Sequence, residues 1–135
     1  MSIKKKFNLG IIGAGYMAAK YLEIIKHDPQ MHVSCITSRT IKRAESLAKK
    51  YKISSINKNL EDLIKNNKCD GLLILVSVDE IFNVTKKVIK YRIPFLLEKP
   101  PGLSAAETKI LSNLTTKKKI PNMVGLNRRY YSIFK

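Results

Sequence analysis

The sequence has no tryptophan, only two cysteines, and 10 acidic residues against 26 basic ones in 135. It has no apolar run close to the roughly 20 residues that a membrane-spanning helix needs, so we predict no membrane partner. Cys35 and Cys69 form no C-x-x-C pair and are interpreted as reduced, partly buried thiols of a cytoplasmic protein. His27 and His32 have no metal-ligand company in the sequence, so we predict no metal site.

The net charge of +16 is the unusual global property, and it raises nucleic-acid association as one possible function. However, 21 of the 26 basic residues are lysines spread along the chain, with triplets only at 4–6 and 117–119. Few aromatic residues alternate with them, so no base-stacking surface is evident. The triplet at 4–6 also resembles the start of a secretory signal, but Asn8 and three glycines interrupt the apolar stretch after it. We therefore expect a cytoplasmic protein that does not depend on nucleic acid.

Strand-like and helix-like segments alternate along the whole chain. This pattern predicts an α/β fold, a doubly wound and mostly parallel sheet of about six strands with helices on both faces, as in the Rossmann fold. At this length the chain fits one domain that buries roughly two-thirds of its unfolded surface. The predicted strands are 7–12, 31–37, 53–56, 70–76, 94–97 and 121–126, and the predicted helices are 16–27, 40–51, 59–66, 80–90 and 104–118.

The first strand runs directly into a G-x-G-x-x-A sequence at residues 13–18. In a strand–turn–helix setting Gly13 permits the tight turn, Gly15 lets the backbone approach a pyrophosphate, and Ala18 lets the helix pack closely. The helix N-terminus adds free N–H donors and a positive dipole end. We predict a dinucleotide site, with the following pyrophosphate-side contacts: Gly13, Ala14, Gly15, Tyr16 and Met17.

The end of the second strand bears on the choice between NADP and NAD. An NAD-selective domain usually places Asp or Glu there, about 20 residues after the glycines, to bind the ribose 2′-OH. Here no acidic residue lies between residues 28 and 45, and the helix start is basic, including Lys42. A hydroxyl and guanidinium groups suit a 2′-phosphate, so we favour NADP, with NAD left open. The predicted contacts are Ser38, Arg39, Thr40 and Arg43.

Four segments in this order resemble one family, the Gfo/Idh/MocA oxidoreductases. They are the glycine sequence at 13–18, Thr37-Ser38-Arg39-Thr40, Glu98-Lys99-Pro100, and the stretch at 124–130. The resemblance covers nearly the whole chain. It implies the NAD(P)-binding half of an enzyme that moves hydride between nicotinamide and a sugar, nucleotide-sugar or cyclitol hydroxyl or carbonyl.

The resemblance also implies roles for residues near the nicotinamide. Lys99 would be the catalytic residue, contacting the substrate oxygen, and Glu98 would orient Lys99 or the nicotinamide ribose. The Lys99–Pro100 bond is expected to be cis. The residues at 77–81 stand where members commonly carry Pro and then His. The remaining predicted cofactor contacts are Val76, Ser77, Glu98, Lys99, Pro100 and Asn127.

Family members continue into a second domain that supplies the substrate pocket. We therefore expect residues 1–127 to form the cofactor domain and residues 128–135 to begin a missing substrate domain. The chain by itself is expected to bind dinucleotide without turnover. A non-catalytic, regulatory dinucleotide-binding module is the first alternative, and a basic nucleic-acid-associated protein is the less favoured one. The apolar tail, Tyr130, Tyr131, Ile133 and Phe134, is expected to promote self-association.

Overall fold

The computed structural model describes residues 6–134, without the side chain of Phe134. Lys4 and Lys5 of the first basic triplet, and Lys135 of the predicted second domain, lie outside the described residues. The side chains of Tyr130, Tyr131 and Ile133 are exposed, as the tail prediction requires. Self-association through them stays a prediction.

Strands and helices alternate along the described chain, as the sequence predicts. The strands are β1 (Phe7–Ile12), β2 (Met31–Thr37), β3 (Ser55–Asn57), β4 (Gly71–Ile74), β5 (Phe95–Leu97) and β6 (Asn122–Val124). The helices are α1 (Tyr16–Ile25), α2 (Ile41–Tyr51), α3 (Leu60–Asn66), α4 (Val78–Val88) and α5 (Ala105–Lys118). Short 3-10 turns occupy Ile89–Tyr91, Asn127–Tyr130 and Ser132–Phe134, and the predicted domain boundary after residue 127 falls inside the second.

The six strands form one parallel sheet in the order β3-β2-β1-β4-β5-β6. The chain reverses its direction of winding between β1 and β4, because β2 and β3 lie on one side of β1 and the later strands on the other. Ligands of open α/β sheets bind at the carboxyl ends of the strands beside such a switch point. The fold therefore confirms the predicted Rossmann architecture and places a candidate site beyond β1 and β4.

Helices cover both faces of the sheet, which explains why its central strands are almost continuously apolar. Helices α1 and α2 share one core cluster with the sheet, and α3, α4 and α5 share the other. In the first cluster Ala18 and Ala44 are fully buried, so these two helices lie close to the strands. The buried helical residues are Ala18, Leu22, Ile25, Ala44 and Ala48 in the first cluster, and Leu60, Leu63, Ile81, Val88 and Leu111 in the second.

Two helices begin with a side-chain cap. The Asn59 side chain accepts a hydrogen bond from the backbone N–H of Asp62 at 2.8 Å. The Ser104 hydroxyl accepts one from the N–H of Glu107 at 3.2 Å, while the Glu107 carboxylate accepts from the N–H of Leu103 at 2.7 Å. The capping box at α5 is therefore present, with its return bond one residue before the expected cap.

Several predicted element bounds were wrong by a few residues. The third strand was predicted at 53–56 but begins at Ser55. Helix α2 ends with Lys52 in a left-handed conformation (φ 56°), and the N–H of Ile53 bonds back to Ala48 O at 2.9 Å. Helix α4 begins at Val78 rather than at residue 80, because Ser77 O already accepts helical N–H groups. The fourth and last strands are shorter than predicted. Strand β4 ends at Ile74, where Leu75 and Val76 leave the sheet to line the cleft described below, and β6 ends at Val124.

The two cysteines meet across β1. Cys35 and Cys69 are free thiols whose sulfurs lie 3.4 Å apart, although 34 residues separate them in the sequence. A Cβ at Gly10 would lie 3.1 Å and 3.0 Å from these sulfurs. The glycine therefore leaves the room in which both thiols pack. Cys35 is buried and Cys69 is partly buried, and their contact was not anticipated.

Candidate functional site: a cleft at the carboxyl edge of the sheet

Gly13 makes the turn out of β1 that the glycine sequence predicts. Its φ is +108°, a conformation that other residues rarely adopt. A Cβ at this position would lie 2.3 Å from the carbonyl oxygen of Leu75, and the N–H of Gly13 donates to Thr37 O at 2.8 Å. The turn is thus held between the ends of β2 and β4, and only glycine fits it.

Gly15 leads into α1 with open space in front of it. It is the N-cap residue of α1 with φ −88°, and a Cβ built on it would meet no atom within 4 Å. The first N–H groups of a helix have no intrahelical partner, and the helix dipole makes this end attractive to anions. The loop therefore presents backbone donors to open space in the cleft.

The cleft measures about 890 Å³ and lies over the carboxyl ends of the strands. All of the predicted cofactor residues line it except Pro100. The predicted residues in its wall are Gly13, Ala14, Gly15, Tyr16, Met17, Ser38, Arg39, Thr40, Arg43, Val76, Ser77, Glu98, Lys99 and Asn127. The prediction that Pro100 contacts the cofactor is therefore not supported by its place. The Lys99–Pro100 bond is cis, which confirms the predicted bond geometry.

At the β2 end of the cleft, two predicted phosphate contacts already have protein partners. The Ser38 hydroxyl accepts a hydrogen bond from the N–H of Thr40 at 3.2 Å. The guanidinium of Arg39 lies 3.1 Å from the carboxylate of Glu80, which projects from the first turn of α4. Arg43 also lines the cleft. The basic end of the cleft thus carries a carboxylate whose position the residue pattern does not predict.

The loop between β4 and α4 forms the neighbouring wall. Val76 and Ser77 line the cleft, and Asp79 lies on the exposed first turn of α4. A hydrogen bond from Ser77, the N–H of Asp79 itself and the nearby Arg39 hold the pKa of this carboxyl below its usual range. This corner therefore stays anionic beside Arg39, and both acidic residues of the α4 start face the predicted phosphate-binding arginine.

At the β5 end, Glu98 is buried while Lys99 is exposed to the cleft. Glu98 Oε1 accepts a hydrogen bond of 3.0 Å from the hydroxyl of Tyr21 on α1. Burial, and then the charge and hydrogen bond of Glu98, raise the pKa of Tyr21 to about 12. The expectation that Glu98 orients Lys99 directly has no contact to support it in the described chain. Its partner is Tyr21 instead.

Sequence reasoning missed a group of cleft residues on α1 that helical spacing could have found. Met17, Tyr21 and Ile24 follow one another at intervals of four and three residues, which places them on one helix face. The wall residues that were not among the predicted contacts are Lys20, Tyr21, Ile24, Leu75, Glu80, Arg128 and Tyr131.

The cleft carries more positive than negative charge. Five basic and two acidic side chains line it. A cleft that has low-dielectric walls and is lined by one sign of charge raises the local concentration of an oppositely charged ligand. The site therefore favours an anionic ligand that is long enough to reach from the β2 end to the β5 end.

A comparison with protein-family models decides the family. Residues 7–126 match the model described as the Gfo/Idh/MocA oxidoreductase family with an NAD-binding Rossmann fold. The chain belongs to the Gfo/Idh/MocA oxidoreductase family. The domain described above is thus the NAD-binding Rossmann domain of that family.

Among curated relatives of this Gfo/Idh/MocA domain, the uncharacterized oxidoreductase YrbE of Bacillus subtilis is 27% identical over 131 residues, which cover 97% of this chain and 38% of YrbE. Myo-inositol dehydrogenase Hyg17 of Streptomyces leeuwenhoekii is 22% identical, with 90% and 37% covered. The chain therefore spans less than two-fifths of the length of these relatives.

Solved structures agree with the fold. A Gfo/Idh/MocA family oxidoreductase from Vibrio cholerae is 26% identical with a TM-score of 0.87, covering 96% of this chain and 41% of that one. GenD2 from gentamicin A biosynthesis, solved in complex with NAD, is 17% identical with a TM-score of 0.88, covering 98% and 38%. At this identity the second likeness shows the fold alone.

Two further features concern residues 6–134 only. Across that range no helix combines the length and the apolar character needed to cross a bilayer. Within the same range, no three His, Cys, Asp or Glu side chains are grouped so that they could hold a metal ion.

Proposed function

We propose that this chain binds a nicotinamide dinucleotide in the cleft, with the pyrophosphate at Gly15 and the N-terminus of α1. The observation that carries the proposal is the open approach to Gly15, where an added Cβ would meet nothing within 4 Å. Gly13 turns the chain so that this approach faces the cleft, and Ala18 lets α1 lie against the sheet. Free N–H donors at a helix N-terminus bind phosphate without further side chains.

We infer that NADPH binds more tightly than NADH. Arg39 and Arg43 line the β2 end of the cleft, where an NAD-selective domain would carry a carboxylate for the ribose 2′-OH. A guanidinium group binds phosphate through charge-assisted hydrogen bonds. Glu80 opposes this preference, because it already pairs with Arg39. The expected preference is therefore moderate.

At the opposite end of the cleft, Lys99 is proposed as the catalytic residue. A bound nicotinamide supplies hydride transfer at its C4 atom. The Lys99 ammonium donates a hydrogen bond to the substrate oxygen and stabilises negative charge on it. The base that takes the hydroxyl proton is proposed to come from the substrate domain. The substrate class we propose is a sugar, nucleotide-sugar or cyclitol, consistent with the family and with the name of the relative Hyg17.

We also propose that residues 128–135 lead toward a substrate domain and that residues 1–127 are the cofactor domain. The chain covers 38% of YrbE and 37% of Hyg17, which supports this division. The 135-residue chain is then expected to bind cofactor with little or no turnover. We propose a cytoplasmic location, in keeping with two free thiols.

Calorimetric titration of the chain with NADPH and NADH tests the proposal. Binding should be tighter for NADPH and should raise the unfolding temperature, since a ligand of the folded state stabilises it. Turnover of myo-inositol or another polyol should stay below about one per second, the lower end of ordinary enzyme rates. Failure to bind either cofactor would refute the proposed site. Turnover at ordinary enzyme rates would refute the division into halves.

A further inference from the structure

The floor of the cleft contains a tyrosine–carboxylate contact that the family assignment leaves without a role. Tyr21 Oη donates to Glu98 Oε1 at 3.0 Å, across a sequence separation of 77 residues. Both side chains line the same cleft as Lys99. Glu98 is only 8% exposed, although it is a carboxylate.

A buried carboxylate is costly unless hydrogen bonds satisfy it. Among residues 6–134, Tyr21 is the one side chain that donates to Glu98. The other carboxylate oxygen, Oε2, has no hydrogen-bond partner among those residues. Oε2 is not one of the fully buried oxygens without a partner, so it is accessible to a ligand. Glu98 therefore has one oxygen held by the protein and a second that can accept a hydrogen bond from a ligand.

Gly125 shows that the chain around this contact leaves room for it. A Cβ at Gly125 would lie 3.0 Å from Glu98 Oε1 and 3.0 Å from Tyr21 Oη. The N–H of Gly125 donates to Leu97 O at 2.8 Å, which fixes the glycine beside the end of β5. Three separate segments, α1, the end of β5 and the end of β6, thus meet at this one hydrogen bond.

We infer that Tyr21 is a positioning residue for the nicotinamide half of the cofactor, acting through Glu98. Its hydroxyl fixes Oε1 and so directs Oε2 to accept a hydrogen bond from a hydroxyl of the nicotinamide ribose. Because Lys99 follows Glu98 in the chain, fixing Glu98 also limits where Lys99 can point. This inference rests on the proposed function, since it presupposes a dinucleotide in the cleft.

The test compares two probes on the full 135-residue chain, NADPH and adenosine 2′,5′-bisphosphate. The second probe lacks the nicotinamide ribose. Tyr21→Phe should weaken NADPH binding about threefold to tenfold, because Glu98 keeps its bond to the ribose but is no longer fixed in place, and should leave bisphosphate binding unchanged. Gly125→Ala, which crowds the same two oxygens, should give the same selective loss. A merely structural role would weaken both probes alike.

A double-mutant cycle shows whether Tyr21 acts through Glu98. In a Glu98→Ala background, Tyr21→Phe should cause no further loss of NADPH affinity. Unchanged NADPH binding in Tyr21→Phe, an equal loss for both probes, or additive losses in the cycle would each overturn the inference while the proposed function stands. If the unaltered chain binds neither probe, the proposed function fails and the inference fails with it. Circular dichroism melts show which variants remain folded.

Discussion

The two ends of the cleft are built in different ways. The phosphate end, by which we mean the loop from Gly13 to Gly15 where the pyrophosphate is proposed to bind, is made of backbone. Gly13 has a φ of +108°, and Gly15 opens the start of α1. The lysine end, which is the β5 end of the cleft beside Lys99, depends on side chains from distant segments. These are above all Tyr21 and Glu98, and Gly125 leaves room beside their hydrogen bond. One end is local in sequence, and the other exists only after the sheet has formed.

Substitutions at the two ends should therefore differ in whether they reduce the stability of the domain or only its affinity for a ligand. A backbone site is lost when the turn is strained, which also affects the stability of the domain. A side-chain site can lose one hydrogen bond while the fold remains intact.

Gly13→Ala should have the largest effect. The methyl group must occupy a positive-φ conformation and would lie 2.3 Å from Leu75 O. Backbone strain and overpacking each cost about 1–3 kcal/mol, so the free energy of unfolding should fall by about 2–6 kcal/mol. Urea denaturation measures the change as a lower midpoint at constant slope. A variant as stable as the parent would show that the turn relaxes freely.

Gly15→Ala is the matched control for that experiment. Its φ of −88° suits any residue, and the added methyl group meets no protein atom within 4 Å. Stability should therefore change by less than about 1 kcal/mol. NADPH binding should weaken at least about tenfold, because the methyl group occupies the approach of the pyrophosphate. Equal stability losses in Gly13→Ala and Gly15→Ala would contradict the division between turn and binding surface.

Arg39→Ala tests the β2 end of the cleft. Hydrogen bonds to charged groups contribute about 1.5–3 kcal/mol, so NADPH affinity should fall roughly tenfold to hundredfold. NADH affinity should change little, since NADH has no 2′-phosphate. Lys42→Ala is the control, because Lys42 is exposed near the start of the same helix but does not line the cleft. Equal losses for the two cofactors in Arg39→Ala would refute a contact to the 2′-phosphate.

The sequence predicted the parts of this molecule whose physical cause is local. Apolar runs marked the strands, and the glycine sequence at 13–18 located the phosphate end, because a turn that only glycine can adopt leaves its mark in consecutive residues. The caps at Asn59 and Ser104 are equally local, since each side chain accepts from an N–H three residues further on. Such features depend on a few neighbouring residues and not on the arrangement of the strands.

The parts that were missed depend on contacts between distant residues. Tyr21 and Glu98 meet because α1 crosses from β1 to β2 while β5 lies two strands from β1 on the other side. The pairing of Arg39 with Glu80 likewise joins the loops after β2 and β4. The wrong start of β3 has a local cause instead, since the end of α2 uses the N–H of Ile53. The order of the strands in the sheet, rather than residue type, decides the Tyr21–Glu98 and Arg39–Glu80 contacts.

Glu80→Gln should sharpen the cofactor preference. The change removes the carboxylate that pairs with Arg39 at 3.1 Å and leaves a side chain of the same shape. Exposed ion pairs contribute about 0.2–1 kcal/mol, so NADPH affinity should rise up to about fivefold while NADH affinity stays the same. Added salt should shrink the gain. The control Glu45→Gln removes an exposed carboxylate that does not line the cleft, and a similar gain there would indicate a general effect of charge.

The smallest expected effect is a pH dependence of stability at the lysine end. Because the pKa of Tyr21 is raised to about 12, the folded chain keeps a proton between pH 10 and 12 that the unfolded chain releases. The stability of the parent relative to Tyr21→Phe should thus be constant below pH 10 and fall as the pH rises toward 12. The slope should stay well below the limit of about 1.4 kcal/mol per pH unit, since Tyr21 is only half-buried. Urea unfolding of both chains at each pH cancels the titration of the lysines they share. A Tyr21→Phe curve that runs parallel to that of the parent would contradict the Tyr21–Glu98 hydrogen bond.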